Sequence, residues 1–440
     1  MSSGRITELR LTAFKSYADV SMPLEPLTLL IGRNGSGKSN ALDALEVLSR
    51  LARGDEVRDA VDGDRRDAGG VRGGVEGCTP HGSDSFTLGA TVLTSQGEQV
   101  TLDVAVQVRP QVQISAEKLC HFVGGQWRTL LESQEANKHR ADLDATVWNG
   151  KRGKDPRRTF RSSHLLTTQL PLRFAGNNDA ETELLRVVGE VLAVLGSVFH
   201  LDPVPHLMRQ YVPEQDVVLR RNADNLSAAV NHLKHTDKQR FNQLVDVVRG
   251  LPEYEIRSLD VGKGSFGEVM LALKERSGRS SVPVPARQMS DGMLRMLAIA
   301  TALLTGGGGL AIAGNASESS ALMLVIEELE NGLHPSQAAA LLDLVTSASA
   351  DLGYQVMLTT HSPALLNALS GDLHRGVLVV QRDRTSGRST ATRLVDLPGY
   401  LRLMATSKLG EAVTAGRLGE AAVTPEPADT EALNRLLGVS

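Results

Sequence analysis

The stretch that most constrains this chain is Gly32-Arg33-Asn34-Gly35-Ser36-Gly37-Lys38-Ser39. It follows the apolar run Leu27 to Ile31 and precedes Ala41, Leu42, Ala44, Leu45, Leu48 and Leu51 at helical spacing. The string satisfies G-x-x-x-x-G-K-[ST], a phosphate-binding loop. Its glycines let backbone N–H groups turn toward phosphate oxygens, Lys38 supplies a point charge, and the Ser39 hydroxyl can ligate Mg2+. The helix leaving the loop adds the positive end of its dipole. A buried strand, this loop and a helix in direct succession predict an α/β chain with a P-loop NTPase core.

A length of 440 residues allows one large domain or two to three ordinary ones. Cys78 and Cys120 are the only cysteines. They are too few for a disulfide framework or a Cys-built zinc site, which suits a reducing cytosol. The formal net charge of −4 means that any nucleic-acid contact must come from a local patch. Met1 to Arg10 carries no apolar signal core. The longer apolar segments are interrupted, Leu184 to Phe199 by Arg186, Gly189 and Glu190, and Met293 to Ala313 by Arg295 and Gly306 to Gly309. The expectation is a soluble, cytoplasmic protein with no membrane contact.

Along the chain, Leu9, Leu11 and Ala13 alternate with polar neighbours, and Val20 to Leu24 reads as a second strand before the buried one. Residues 53 to 84, rich in Gly, Asp and Arg, read as an excursion or mobile loop rather than a core element. Phe86 to Thr94 and Val100 to Val108 read as strands joined at Ser95-Gln96-Gly97, and Gly124-Gly125 marks a further turn, predicting an antiparallel sheet. Between Asn149 and Arg161, Lys151, Arg152, Lys154, Arg157, Arg158 and Arg161 face one acid, Asp155. That run fits a phosphate-backbone contact or a solvated loop. Helical patterns follow at Glu181 to Phe199, Asn225 to Leu233 and Lys238 to Leu251, with strands at Glu255 to Val261 and Glu268 to Leu273. No heptad is sustained. Gly306 to Gly309 and Asn315 to Ser320 read as a connector.

Leu322 to Ile326 is an apolar run ending in Glu327-Glu328. An acidic pair at the end of a buried strand is costly unless the charges have partners or work there. Beside a phosphate loop, the first acid can hold Mg2+ and the second can orient or deprotonate an attacking water. Taken alone, the pair also fits an exposed strand end. Gln355 to Leu358 is another β run, followed by Thr359-Thr360-His361-Ser362-Pro363, which puts His361 at the strand edge where ligands sit in open α/β sheets. Ser290 reads as the N-cap of an apolar helix, Leu294 to Leu304, with the N–H groups beside Gly292 forming a second anion-binding corner.

In their order these parts resemble the ABC-type ATPases of the RecF, SMC and OLD group, and within it the stand-alone bacterial OLD-like AAA family ATPases. The resemblance rests on Phe14-Lys15-Ser16-Tyr17, Gly35 to Asn40, Met289 to Arg295, Ile326 to Pro335 and Thr359 to Pro363. It implies a single ABC-type head over 1–440 with a mixed central sheet, an antiparallel β subdomain and an inserted helical region. Its parts would be an N-terminal lobe at 1–52, the β and helical insertion at 53–280, the signature and acidic-pair lobe at 281–405, and a tail at 406–440. It implies ATP held by Gly32, Asn34, Gly35, Ser36, Gly37, Lys38, Ser39 and Asn40, and Mg2+ at Ser39 and Glu327. Ser290 and Gly292 of a second copy would cap the γ-phosphate in a head-to-head homodimer, with Glu330 to His334 communicating across it. Lys38, Glu328 and the switch residue His361 would be catalytic, and Lys15 and Ser16 would lie near the nucleotide.

Two departures stand out. No glutamine matches the one that contacts Mg2+ in many such heads, since Gln96 and Gln99 lie in or beside a turn. Only about eighty residues follow His361, short for an added nuclease domain on usual domain sizes. The functional expectation is an ATP-driven switch controlling a separately encoded DNA-related or phage-defence effector such as a nuclease or toxin. The alternatives are a RecF-like DNA clamp, using Lys151, Arg152, Arg157 and Arg158, and the ATPase subunit of a membrane transporter.

Overall fold

The computed structural model describes residues 4–63, 69–80, 82–134, 142–251, 255–277, 280–312 and 322–418. One sheet of fourteen strands runs through them. Its first part is parallel, in the order Val198–Leu201, Met323–Ile326, Gln355–Thr359, Leu27–Ile31 and Val377–Arg382. These strands read as unbroken apolar runs because both faces are covered. The pleat divides them: Leu29, Ile31, Leu324, Ile326, Val356 and Leu358 enter one core, while Leu30, Met323, Val325, Met357, Leu378 and Val380 enter the other.

Ser389–Arg393 turns back antiparallel on Val377–Arg382 and touches Tyr17 in parallel. From there the sheet continues antiparallel through Tyr17–Pro23, Arg5–Phe14, Ser85–Leu93, Gln99–Gln107, Gln113–Val123, Gln126–Ser133, Asp142–Val147 and Arg157–Arg161. Both expected hairpin turns are present, with Gly97, Gly124 and Gly125 at positive φ. The mixed α/β architecture with an antiparallel β part is therefore as expected. A smaller sheet of Val212–Pro213, Glu268–Ser277, Ile256–Lys263 and Ser280–Pro285 packs with helices Leu226–Thr236 and Lys238–Arg249 against the first core.

Three readings change. Residues 53 to 84 are not outside the core: Val57, Ala60, Val61, Val71, Val75 and Cys78 are buried in the second core. Few apolar residues suffice there because each points inward from the short helices Val57–Asp62 and Gly74–Gly77 or the turn before the second. The helix expected over Glu181 to Phe199 spans Asp179–Gly196. Val198–Leu201, rich in β-formers, becomes instead the edge strand beside Met323–Ile326. Arg157–Arg161 is likewise an edge strand, not a loop. The connector at Asn315 to Ser320 and the tail beyond 418 lie outside the described residues.

Candidate nucleotide site

Register assembles the site. Ile326 pairs with Leu358, Leu358 with Leu29, and Thr359 with Leu30, so three parallel strands end side by side. Those ends release Glu327-Glu328, Thr360-His361 and the glycine loop at one edge of the sheet. The loop needs its glycines. Gly37 has φ 116°, and a Cβ there would lie 2.6 Å from Ser389 Oγ; at Gly32, φ 151°, a Cβ would meet the Val380 carbonyl oxygen at 2.1 Å. Gly35 also has positive φ, and Asn34 is exposed at the mouth. Tyr17 Oη donates to the Gly37 carbonyl at 2.9 Å, Ser389 Oγ donates to the Ser36 carbonyl at 2.5 Å, and Asn40 Nδ2 donates to Ser16 Oγ at 2.8 Å. Ser16 thus lies against the loop.

Lys38 begins the helix Lys38–Arg53 and is buried. Its Nζ donates to the carbonyls of Gly32 at 2.9 Å and Arg33 at 3.3 Å, contacts that phosphate oxygens can replace. Burial pulls its pKa below the usual lysine value, against the opposing pull of Glu328, Glu327 and Glu330. Ser36 Oγ is buried and makes no hydrogen bond, leaving one polar atom inside the loop for a ligand.

Ser39 Oγ donates to the Glu327 carboxylate across 288 positions of sequence. A hydroxyl and a carboxylate brought together beside a phosphate loop are the hard oxygen ligands that Mg2+ takes alongside phosphates, so the residues present fit that ion. Arg72 donates to the same carboxylate. Burial pushes the Glu327 carboxyl up, but the bonds from Arg72 and Ser39 and the Arg72 charge together hold it below the usual range. Arg72 was not anticipated, because nothing local marks one arginine in a Gly-rich stretch. It is held in place by Lys15, whose Nζ donates to the Arg72 carbonyl at 2.7 Å and pairs with Asp43 at 2.5 Å.

Glu328 adopts φ 50°, a left-handed conformation that a glutamate rarely takes. Its N–H donates to Thr359 Oγ1 at 2.8 Å, tying it to the strand that carries His361. The His361 N–H donates to the Glu330 carboxylate. Burial, and then the Lys38 charge, lower the His361 pKa, while Glu330 and Glu328 oppose the shift. Lys38 is therefore within electrostatic reach of Glu327, Glu328 and His361.

Ser290 and Gly292 stand apart from this group. Ser290 Oγ accepts from the Met293 N–H at 3.2 Å and caps helix Asp291–Thr305. Arg209 braces the same segment through the Met289 carbonyl at 2.9 Å and Asp291 at 2.5 Å. Among the described residues no hydrogen bond or ion pair joins Ser290 or Gly292 to residues 32–40. Gly292 instead packs on the loop after the acidic pair, where a Cβ would lie 2.2 Å from the Gly332 carbonyl oxygen.

Lys151, Arg152, Arg157 and Arg158 are all exposed. Alternation along the edge strand sends Arg157 to the face of Thr146 and Arg158 to the face of buried Ala145, so the four do not line one face. Gln96 and Gln99 stay in and beside their hairpin turn, and no glutamine takes the metal-side position among the described residues.

A family model described as "AAA domain, putative AbiEii toxin, Type IV TA system" matches residues 27–367. The Old nuclease of Escherichia phage P2 is 22% identical over 373 residues, which are 83% of this chain and 57% of that protein. A DNA replication and repair protein RecF of Arthrobacter sp. (strain FB24) is 46% identical over 48 residues, 11% of this chain and 12% of that one. This chain therefore spans little more than half of one curated relative's length and a small part of the other's. An SMC head solved with the C-terminal winged-helix domain of ScpA superposes with TM-score 0.48 at 14% identity, covering 88% of this chain and 97% of that one. No helix among the described residues is long and apolar enough to cross a membrane. The chain belongs to the AAA domain family so described.

Proposed function

We propose that the protein binds and hydrolyses ATP with Mg2+, in the cytoplasm, and uses the cycle to close and open a head-to-head homodimer that controls a separately encoded effector. The observation that carries this reading is the Ser39–Glu327 hydrogen bond, formed beside Lys38, whose charge is felt by His361 and which itself feels Glu327 and Glu328. Lys38 leaves the loop carbonyls for the β- and γ-phosphates, and Ser36 supplies its spare hydroxyl. Ser39 and Glu327 would hold Mg2+, which when bound would offset the negative charge of the phosphates. Glu328 takes the proton of the attacking water as the oxygen bonds to the γ-phosphorus and the bond to ADP breaks. His361, kept neutral by burial and Lys38, donates one hydrogen bond toward the γ-phosphate. That no hydrogen bond or ion pair among the described residues joins Ser290 or Gly292 to residues 32–40 supports their serving the nucleotide of a second copy.

The test is Glu328→Gln. It retains ATP and accumulates a dimer by light scattering, while turnover falls about 100-fold or more. Wild-type turnover in that variant overturns the assignment. A DNA-clamp reading draws on the exposed Lys151, Arg152, Arg157 and Arg158, and requires binding that weakens steeply with salt and disappears when the four are changed to Glu.

A further inference from the structure

His121, on strand Gln113–Val123, has no exposed surface, and neither ring nitrogen makes a hydrogen bond. An imidazole buried without partners is costly, so its surroundings decide what it is for. Nε2 lies 3.4 Å from Glu98 Oε2, and Nδ1 lies 3.8 Å from Glu183 Oε1. Glu98 comes from the turn before strand Gln99–Gln107, and Glu183 from the first turns of helix Asp179–Gly196. Arg186 of that helix reaches Glu98 at 2.6 Å, Glu183 at 2.8 Å and Glu190 at 2.9 Å. Three carboxylates thus share one directly bonded guanidinium. Arg128, cross-strand from His121, adds positive charge nearby, but it stacks on Trp148 at 4.6 Å and makes no ion pair with these acids among the described residues.

We infer that Glu98, His121 and Glu183 form a binding site for a divalent transition-metal ion, with zinc the best fit. One ligand atom from each lies within 4.8 Å of the others. Tetrahedral bonds of about 2.1 Å separate ligand atoms by about 3.4 Å, which is the 3.4 Å between His121 and Glu98. The Glu183 contact is made to the other ring nitrogen, Nδ1, so Glu183 must rotate to bring an oxygen beside Nε2, within a set whose ligand atoms already lie within 4.8 Å of one another. One imidazole nitrogen with two carboxylates is a zinc donor set that leaves the fourth position to water, whereas Mg2+ and Ca2+ favour oxygen alone. Arg186 then acts as the outer partner that orients both carboxylates through their remaining lone pairs. The ion would pin a hairpin turn, a strand and a helix together. That helix packs against Lys38–Arg53, the helix leaving the phosphate loop, yet no ligand here belongs to the nucleotide site.

Full-length protein stripped with EDTA is titrated with zinc chloride, without nucleotide, by calorimetry and thermal denaturation. One zinc per chain, a raised Tm, and at least about tenfold weaker binding in Glu98→Gln and His121→Ala are expected, with Glu132→Gln, at an exposed strand glutamate paired with Lys118, unchanged. Glu98→Gln is nearly isosteric and decides the matter if His121→Ala fails to fold. No binding, or equal affinity in Glu98→Gln, overturns the metal site.

Discussion

Glu327 receives both Ser39 and Arg72, and that double contact sets its chemistry. Burial alone would raise its pKa; the two donors and the Arg72 charge reverse the sign. Arg72→Ala should therefore move the acid limb of the ATPase pH profile to higher pH, with Arg72→Lys intermediate; an unmoved limb would mean that Arg72 does not act through Glu327. His361 has a folded-state pKa below its unfolded value, because of burial and then Lys38. The unfolded chain consequently binds more protons, and nucleotide-free stability falls as pH drops from about 6.5 toward the folded pKa. His361→Gln should shrink the loss of urea midpoint between pH 8 and pH 5.5 relative to wild type. The part that remains is assigned to groups such as His374, whose pKa burial also lowers.

Helix Asp291–Thr305 has two constraints at its start. Ser290 caps it, so Ser290→Ala should cost about 1 kcal/mol whatever its catalytic role. Ser290→Asp separates the two roles: Asp caps as well as Ser, so Tm stays near wild type, while its charge repels a γ-phosphate and ATP-driven dimerisation is lost. Gly292→Ala forces a methyl onto the Gly332 carbonyl oxygen and should cost about 1–3 kcal/mol in chemical denaturation. Elsewhere, the segment Leu166–Gln169 is docked by Glu117, which accepts from the N–H groups of Leu166 at 2.5 Å and Thr167 at 2.7 Å. Burial outweighs those bonds and pushes its carboxyl up to about 7. The native state then holds a proton that the unfolded state loses near pH 4.5, so this contribution to stability is full at low pH and is lost as pH rises through about 7. Glu117→Gln should flatten that part of the stability profile.

If each nucleotide is completed in trans, Lys38→Ala and Ser290→Asp damage different halves of the same composite site. A mixed dimer concentrates both lesions in one site and leaves the other whole. Each variant alone should be inactive and their mixture should regain ATPase activity; no recovery on mixing would place both residues in one protomer's own site. Much of this assembly is legible in the chain. Leu27 to Ile31, Leu322 to Ile326 and Gln355 to Leu358 are covered on both faces, so burial itself writes them as apolar runs, and the polar groups at their ends mark the catalytic edge. Arg72 is not legible, because its partner Glu327 is 255 positions away and the surrounding glycines carry no periodicity. Val198 and Phe199, the first half of strand Val198–Leu201, are misread as helix because so short a strand cannot outweigh the strong helical period just before it.

The amino-acid sequence by itself determined the glycine loop, the acidic pair, the capped helix at Ser290 and the hairpins. Each of these is enforced within a few residues by sterics, capping or strand alternation. Only the tertiary structure decided which strand ends lie side by side, that Arg72 shares Glu327 with Ser39, and that Glu98, His121 and Glu183 meet around one buried imidazole. Those contacts are selected by the joint burial of distant segments, an energy that belongs to the packed core and has no local signature along the chain.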